Sequence, residues 1–434
     1  MKKVLVYTLG CKVNQYESQA IKEQFNNQGY EILNENRDDF ADIYIINTCT
    51  VTNLSDRKSR QLMRRAKKCN KDSIVVVTGC YAQTGLEEIE KIEEVDIIVG
   101  INNKNNIVNL VEGYNNTSKT IEIQDISQMA HFEDMHISHM DNRSRAFIKI
   151  QEGCNQFCSY CIIPYARGNI RSRLLKDIVS EASHIIQNGY HEIVLTGINA
   201  ALYGRDNQEG TLLDVIGSMN AIEGKFRIRL SSIEPAVITD RFMEKLMGFE
   251  KLCSHIHLSL QSGSQAILAQ MNRKYTVSHY EEVVRKMRLK RPELNVTTDI
   301  IVGFPGETDQ HFEETCNFVK TIGFGKVHVF KYSKRKGTKA ATMKDQIDSK
   351  KKNERSSFLI RLAEETAIKF NSQFIGTVQE VLFERIDSET GLAEGYTDNY
   401  IKVYAEEEKN IVGQFRDVQI ISNYGDGLKG DICS

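Results

Sequence analysis

Residues 153–161 read Gly153-Cys154-Asn155-Gln156-Phe157-Cys158-Ser159-Tyr160-Cys161, three cysteines in the spacing CxxxCxxC, shortly after a strand-like apolar run at 147–150. A structural zinc ion normally takes four ligands, and no fourth Cys or His follows at the spacing of a zinc finger. Three thiolates instead suit a [4Fe–4S] cluster with one iron left open for a ligand from outside the protein. The spacing therefore favours an open cluster at Cys154, Cys158 and Cys161, with zinc or reduced buried thiols as the alternatives.

The chain around this loop alternates strand and helix patterns. The strand patterns lie at 147–150, 192–196, 226–230, 256–260, 296–302 and 326–330. Helical patterns such as 178–187 and 279–289 lie between them. Six such units are too few for an eight-unit barrel, so we predict a partial (βα)6 TIM-like barrel over residues 144–370, including a trailing charged helix. Ligands should bind at the carboxyl ends of its strands.

Two further domains flank this barrel. Strand patterns at 4–9, 43–47, 74–78 and 96–99, with a helix at 15–28, predict an open parallel α/β domain over residues 1–113. The polar residues 114–143 read as a linker. Short strands at 376–383, 392–397, 401–403 and 418–421 predict a small OB-like β-barrel over residues 371–434.

A second set of cysteines is dispersed along the first domain. Cys11, Cys49 and Cys80 each lie just past the carboxyl end of a predicted strand. Because these ends share one edge of a parallel sheet, the three thiols can converge as a second three-cysteine cluster site. Unrelated buried thiols are the alternative. The other four cysteines lack such placement and are interpreted as packing residues: Cys69, Cys253, Cys316 and Cys433.

Length and composition set the outer limits. The chain has 434 residues, 41% hydrophobic and 26% charged, which suits about three soluble domains. It has no apolar run near the ~18 residues that cross a bilayer, and residues 1–7 run into a strand rather than a signal peptide. We therefore expect a cytoplasmic protein that uses no membrane. In a reducing compartment, several of its ten cysteines are better explained as metal ligands than as disulfides.

The cysteine loop, placed after the first strand of a six-unit alternation, resembles the radical S-adenosylmethionine (SAM) enzymes. Residues 8–18 (TLGCKVNQYES) and 158–168 (CSYCIIPYARG) are further similar to the methylthiotransferases of that superfamily, in particular the subgroup that modifies N6-threonylcarbamoyladenosine in tRNA. The isopentenyladenosine and ribosomal-protein subgroups differ just after the first cysteine. The resemblance covers nearly the whole chain and identifies the carboxyl-terminal barrel with the TRAM module of the family.

The resemblance implies two [4Fe–4S] clusters, one on each cysteine set, and SAM as cofactor, with two SAM molecules used per turnover. An electron donor such as flavodoxin or ferredoxin would reduce the clusters. It implies SAM-binding roles for residues in loops at strand ends, namely Tyr160, Gly197, Glu234, Gln261 and Gly303. The alternatives are core packing for Tyr160 and turn or cap roles for the others. Asn199 departs from the His expected in this subgroup, and no catalytic residue beyond the cluster ligands is predicted.

The net charge of −2 hides a strong separation of charge. Eight Lys or Arg and no acid lie within 57–71, and residues 320–370 carry a net +9, whereas residues 371–434 carry a net −7. A charge run is often a solvated face, but several runs in one chain indicate phosphate binding. The basic residues predicted to contact a tRNA anticodon stem-loop are Arg57, Arg60, Arg64, Lys68, Arg167, Arg171 and Arg335. In the acidic tail, Tyr396, Tyr400 and Tyr404 either stack on bases or pack in its core.

The resemblance leads to the hypothesis that the chain is a tRNA-modifying methylthiotransferase, which adds a methylthio group to C2 of N6-threonylcarbamoyladenosine beside the anticodon. C2–H is inert to ordinary acid–base chemistry, which explains the need for a radical. Two alternatives stay open: a sister methylthiotransferase acting on isopentenyladenosine or a ribosomal protein, and a non-enzymatic zinc protein that binds RNA.

Overall fold

Six parallel strands form the amino-terminal sheet, in the order β2-β1-β3-β4-β5-β6. The computed structural model describes residues 1–34, 40–141, 144–208, 210–406 and 411–433. The strands are β1 (Lys3–Thr8), β2 (Glu31–Ile32), β3 (Ile43–Thr48), β4 (Ile74–Gly79), β5 (Ile97–Val99) and β6 (Thr120–Glu122). The helices are α1 (Lys12–Asn27), α2 (Asn53–Cys69), α3 (Cys80–Thr84), α4 (Leu86–Ile89) and α5 (Ile107–Glu112).

This sheet confirms the predicted parallel α/β fold and extends it. Alternate residues of β1 face opposite sides: Val4 and Val6 pack in one core with α1, and Leu5 and Tyr7 pack in a second core with α2. Strand β6 lies within 114–143, the segment predicted as a linker, and pairs with β5. The sheet therefore continues past residue 113. The sequence did not predict this strand, because the segment is polar and the strand has only one apolar residue.

The middle of the chain forms an open barrel of six parallel strands in chain order. One sheet has the order β10-β9-β7-β8 and the next β11-β12-β13, and a parallel bridge from Ile233 to Leu258 joins them. The strands are β7 (Arg145–Glu152), β9 (Glu192–Gly197), β10 (Arg227–Leu230), β11 (His255–His257), β12 (Asn295–Val302) and β13 (Lys326–Lys331), with β8 (Arg171–Ser172) antiparallel on β7. This arrangement confirms the partial barrel, and helix α1 of the first domain packs against β7.

Helices connect the barrel strands and cover them on the outside. They are α6 (Ile163–Arg167), α7 (Leu175–Gln187), α8 (Leu212–Asn220), α9 (Asp240–Met247), α10 (Gln265–Gln270), α11 (Val277–Lys290), α12 (Asp309–Ile322) and α13 (Ser349–Asn371). Single-turn 3-10 helices lie along the whole chain, at Lys104–Asn106, Ile126–Gln128, Ala200–Leu202, Pro235–Val237, Lys339–Thr342 and Ser372–Phe374. No helix within the described residues is both long and apolar enough to cross a membrane.

The carboxyl-terminal domain is a closed barrel of five strands, in the order β14-β15-β16-β18-β17. Its strands are β14 (Val378–Ile386), β15 (Ala393–Thr397), β16 (Lys402–Ala405), β17 (Phe415–Tyr424) and β18 (Gly427–Ile432). Its separate apolar core includes Val381, Phe383, Val403 and Val418. The predicted small β-barrel is thereby confirmed.

The turn after β15 closes the amino-terminal end of the large barrel. Tyr400 stacks on Tyr396 at 4.9 Å between ring centres, and the Arg229 guanidinium lies 4.4 Å from the Tyr400 ring centre. Arg145 lies over both tyrosine rings, and Asn295 donates to the carbonyl of Asn399 at 2.9 Å. These two tyrosines therefore serve the contact between the barrels rather than stacking on bases.

Candidate functional site

The loop that carries Cys154, Cys158 and Cys161, called here the barrel thiols, leaves β7 through a turn that requires glycine. Gly153 has φ +72°, and a Cβ at this position would lie 1.8 Å from the carbonyl oxygen of Asn169. The Cys154 amide donates to the carbonyl of Gly168 at 2.9 Å, and the Ser159 amide donates to that of Met271 at 3.0 Å. Backbone hydrogen bonds on both sides thus hold the loop at the carboxyl end of the first barrel strand.

The barrel thiols lie close enough to influence one another. Burial, together with the neighbouring Cys158, raises the pKa of Cys154 to about 11 and that of Cys161 to about 12. Apolar surroundings therefore keep these sulfurs protonated when no metal is bound. Metal binding must displace the protons, because the thiolate is the ligand form.

The second set, Cys11, Cys49 and Cys80, called here the amino-terminal thiols, converges at one edge of the first sheet as predicted from sequence. Cys11 precedes α1, Cys49 follows β3, and Cys80 begins α3 directly after β4. The approach is tight, because a Cβ on Gly10 would lie 2.9 Å from the Cys49 sulfur. Asn14 joins the first two loops by donating to the carbonyls of Leu9 (2.7 Å) and Thr48 (2.9 Å).

The spacing of the sulfurs bears on the choice between zinc and a cluster. A tetrahedral zinc site with Zn–S bonds near 2.3 Å would hold its sulfurs about 4 Å apart. Within the described parts of the chain, neither thiol set brings all three sulfurs within 4.8 Å of one another. The amino-terminal thiols nevertheless interact, since burial, together with the neighbouring Cys49 and Cys11, raises the pKa of Cys80 to about 12. Neither set therefore forms a compact tetrahedral zinc site among the described residues, and the assignment of a cluster to each set stays a prediction.

Arg167 connects the two thiol sets. It follows the barrel-thiol loop in α6, and its Nε donates to the Cys80 sulfur at 3.2 Å. Its other nitrogens donate to Asn14 (2.7 Å), Glu17 (3.0 Å) and Glu152 (2.5 Å). The side chain is fully buried, so the prediction that it contacts tRNA is wrong.

Arg171 and Arg335 were also predicted as tRNA contacts, and the structure contradicts both. Arg171 is 1% exposed and donates to the carbonyls of Arg167 and Asn169. Arg335 is 8% exposed and lies 2.7 Å from the Asp56 carboxylate, so it joins the barrel to the first domain. A count of charge along the sequence cannot distinguish such buried arginines from exposed ones.

Arg57, Arg64 and Lys68 on α2 are exposed, whereas Arg60 is half-buried against Tyr81 and Glu88.

A cavity opens between the two domains beside both thiol sets. Its walls include Val51 and Thr52, which follow Cys49 closely, and Tyr160 and Cys161 of the barrel-thiol loop. The far wall consists of residues at the carboxyl ends of β12 and β13 and the loop after β11, namely Gln261, Asp299, Ile301, Phe330, Lys331, Tyr332 and Ser333. A small molecule in this cavity would therefore touch the barrel-thiol loop and lie beside the loop of the amino-terminal thiols.

The five residues predicted to bind SAM lie at the carboxyl ends of barrel strands, but not all reach this cavity. Tyr160 and Gln261 line it, and Gln261 adopts a left-handed φ of +70°. Glu234 is 4% exposed and accepts from Asn199 at 3.1 Å. Gly197 packs against Gln151, and the backbone of Gly303 lies beneath the Lys352 side chain and donates to Glu307 at 2.9 Å. Close approach explains Gly197, and Gly303 combines a close approach with a left-handed φ of +71°.

Several polar atoms near these strand ends are buried without a hydrogen-bond partner among the described residues. They are Ser231 Oγ, Glu234 Oε1 and Asn199 Oδ1. Glu234 Oε1 has only the Arg273 guanidinium nearby, at 3.5 Å. Buried polar atoms are normally satisfied, so these three atoms on neighbouring loops indicate room for a ligand that donates hydrogen bonds. An amino group and a ribose, both present in SAM, are donors of this kind, and the residues present fit that cofactor.

Sequence reasoning missed Arg273. Its guanidinium donates to the Cys158 sulfur at 3.2 Å and lies 3.5 Å from the Glu234 carboxylate. It also contacts the hydroxyl of Tyr275 at 3.1 Å. Arg273 thus donates to one sulfur of the barrel thiols, just as Arg167 donates to one sulfur of the amino-terminal thiols. The signal was a single arginine in the turn after α10, with no motif around it.

The family model of the radical SAM superfamily matches residues 148–319, and that of the uncharacterized protein family UPF0004 matches residues 3–100. A threonylcarbamoyladenosine tRNA methylthiotransferase, MtaB, of Bacillus subtilis (strain 168) is 43% identical over 97% of this chain and 94% of its own length. An MtaB of Thermotoga maritima is 36% identical over 99% and 96%. A tRNA-2-methylthio-N(6)-dimethylallyladenosine synthase of Finegoldia magna is 33% identical over 98% and 94%.

Solved structures are similar in fold at much lower identity. The radical SAM methyltransferase TsrM from Kitasatospora setae superposes with a TM-score of 0.56 at 13% identity, covering 87% of this chain and 80% of its own. The cobalamin-dependent radical SAM enzyme OxsB gives a TM-score of 0.51 at 11% identity, covering 79% of this chain and 55% of its own. These likenesses support the arrangement of an α/β domain beside a radical SAM barrel.

Proposed function

Because the chain belongs to the radical SAM methylthiotransferase family, we propose that it adds a methylthio group to C2 of N6-threonylcarbamoyladenosine beside the anticodon of tRNA. The observation that carries this proposal is the cavity between the domains, which is lined by Cys161 of the barrel thiols and by Val51 and Thr52 of the loop that follows Cys49. A reaction that needs a radical and a sulfur atom at one carbon requires both centres to face one substrate. The relatives named for this substrate match the chain at up to 43% identity.

The chain provides two sets of three cysteine ligands. Cys154, Cys158 and Cys161 would hold the cluster that binds SAM, and the amino-terminal thiols would hold the auxiliary cluster. When bound, these groups supply the one-electron chemistry and the sulfur that an inert C–H bond requires. Arg273 and Arg167 donate to one sulfur of each set, which stabilises thiolates and fixes the loops.

SAM would lie across the loops that end the barrel strands. Glu234, Ser231 and Asn199 offer it acceptors that are otherwise unsatisfied, and Tyr160 and Gln261 line the adjoining cavity.

The tRNA would approach over a basic rim. Helix α2 begins beside the cavity, and Arg57, Arg64 and Lys68 on it are exposed. Across the cavity, Lys334 and Lys336 are exposed on the loop after β13. Phosphate contacts from both sides would position an anticodon loop whose target base is turned out of the stack. We place the reaction in the cytoplasm, with a small electron-transfer protein as reductant.

The decisive test is mass spectrometry of nucleosides from digested tRNA. In a strain that lacks the gene, the methylthiolated form of N6-threonylcarbamoyladenosine should disappear and the unmethylthiolated form should accumulate. Wild-type protein should restore the product, and Cys154→Ala or Cys11→Ala should not. Loss of the isopentenyladenosine product instead would assign the chain to the sister reaction.

Metal analysis tests the cluster assignment separately. Anaerobically reconstituted protein should be brown and hold about eight iron atoms per chain. Cys154→Ala and Cys11→Ala should each hold about half as much, with Cys433→Ala as the matched control at an exposed cysteine outside both sets. Colourless protein that retains zinc after reconstitution would reject the clusters and favour the zinc alternative.

A further inference from the structure

Two histidines and an aspartate converge inside the large barrel, in a group that includes no cysteine of either thiol set. His257 ends β11, and Asp299 and His328 lie on β12 and β13. Asp299 and His328 are paired in the parallel ladder, so their side chains project from the same face of the sheet. Asp299 lines the cavity between the domains, whereas the next residue, Ile300, packs in the apolar core. The group therefore lies on the inner face of the barrel and adjoins the cavity.

The three side chains lie close enough to share one ion. Each offers an imidazole nitrogen or a carboxylate oxygen, and these three atoms all lie within 4.8 Å of one another. His257 Nε2 lies 3.2 Å from Asp299 Oδ2, and the rings of His257 and His328 are 5.9 Å apart between centres. No other set of three such side chains within the described residues is this compact.

The separations are near those that a bound ion requires. Ligand atoms 2.0–2.1 Å from a tetrahedral zinc ion lie about 3.3 Å from one another. The His257 and Asp299 atoms already have this separation, and the remaining distances, all within 4.8 Å, need to shorten by at most about 1.5 Å. A small rotation of the His328 side chain suffices, since its ring has no hydrogen-bond partner among the described residues.

A hydroxyl group orients the His257 ring, and the group is open to ions. Thr297 Oγ1 lies 3.0 Å from His257 Nδ1, so the opposite ring nitrogen, Nε2, faces Asp299. Metal-bound histidines normally have such a partner on the second ring nitrogen. The Asp299 side chain is 27% exposed and His328 is exposed, which gives an ion a path to the ligand atoms.

The acid–base states of these side chains suit a cation. Burial raises the pKa of Asp299, but the hydrogen bond from His257 and the charges nearby lower it by more, so the carboxylate is ionised at neutral pH. Burial lowers the pKa of His328, so its imidazole is uncharged there. The carboxylate and the neutral imidazole are the forms that bind metals.

We propose that His257, Asp299 and His328 bind one divalent transition-metal ion at the wall of the cavity. Two imidazoles and one carboxylate are a donor set of catalytic zinc sites and of mononuclear iron sites, and both kinds keep a position open. Because Asp299 lines the cavity, that position is available to an oxygen atom of a molecule bound there. The ion is a third metal centre, separate from both proposed clusters, and its assignment does not rest on the proposed function.

The first test measures metals in the anaerobically prepared holoenzyme after incubation with Zn²⁺ and removal of the free ion. Wild-type protein should hold about one zinc in addition to about eight cluster irons per chain. His328→Ala and Asp299→Asn should each weaken zinc binding at least ~100-fold in competition with a chelator, since even the outer partners of metal ligands contribute 10- to 100-fold. Both should keep the cluster iron, which shows that they fold. His184→Ala, at an exposed histidine on α7, is the matched control and should keep both metals.

X-ray absorption at the zinc edge separates this site from zinc bound by the cysteines. Zinc on His257, Asp299 and His328 has only nitrogen and oxygen neighbours at about 2.0–2.2 Å, whereas thiolates add sulfur at about 2.3 Å. A nitrogen and oxygen shell that His328→Ala removes supports the site, and a ninth iron removed by the same substitution would assign iron to it. A sulfur shell, equal zinc and iron contents in wild type and His328→Ala, or no metal beyond the clusters in wild type would overturn the inference.

Discussion

Replacing Arg167 by methionine should destabilise the protein and release the auxiliary iron together. Arg167 donates to Glu17, Glu152 and Asn14 and to the Cys80 sulfur, all within the fully buried contact between two domains. Removing one partner of a buried ion pair costs about 3–5 kcal/mol. Glu17 would keep Lys149 at 3.1 Å and Lys104 at 3.6 Å, so its charge is not left alone. We therefore expect the lower end of that range, about 3 kcal/mol.

The assay combines urea unfolding, followed by circular dichroism, with iron analysis after anaerobic reconstitution. Midpoints are compared rather than extrapolated free energies, because a chain of three domains need not unfold in one step. Arg355→Met is the matched control, since Arg355 is also buried, its guanidinium lies 2.6 Å from Glu307, and it has no hydrogen bond to a cysteine sulfur among the described residues. It should lower the midpoint and leave the iron content near eight atoms per chain. Arg167→Met should lower both, and a variant with full iron content and an unchanged midpoint would refute the linking role of Arg167.

Three further changes test other parts of the structure. Gly153→Ala should reduce bound iron by about half, because the new Cβ would meet the Asn169 carbonyl at 1.8 Å; a normal iron content would contradict the turn geometry. Glu192→Gln should flatten the acid side of the stability profile. Burial raises the pKa of Glu192, but Arg229 and Arg227 lower it by more, so the pKa lies well below its ordinary value. The ionised Glu192 therefore stabilises the folded protein above pH ~4.3, and this stabilisation is lost as the pH falls. Thermal midpoints from pH 3 to 7 measure this, and parallel curves for variant and wild type would contradict it. Arg64→Glu on the exposed face of α2 should weaken tRNA binding and reduce the salt slope of the affinity by about one; an unchanged slope would remove α2 from the interface.

Sequence reasoning predicted the features that depend on strand order. Cys11, Cys49 and Cys80 are far apart along the chain, but each follows a parallel strand, and parallel strands place such positions at one edge. Strand β6 was missed because three residues with a single apolar side chain show no alternation of apolar and polar residues. Only the pairing with β5 identifies these residues as a strand. The burial of Arg167 was missed for a different reason. Whether an arginine meets solvent or acids depends on the packing of α1 against β7, and local sequence does not encode that contact.

The buried arginines Arg167 and Arg335 explain how the two thiol sets keep a fixed position relative to one another. Apolar packing is tolerant of small shifts, whereas a guanidinium that bonds Glu17, Glu152 and Cys80 together accepts few geometries. Arg335 adds a second directional link on the other side of the cavity, to Asp56 at the start of α2. Such polar contacts contribute little net stability for their burial but define one arrangement of the domains. A reaction between two centres on separate domains needs one defined arrangement of those centres, and the buried charges at this interface hold such an arrangement.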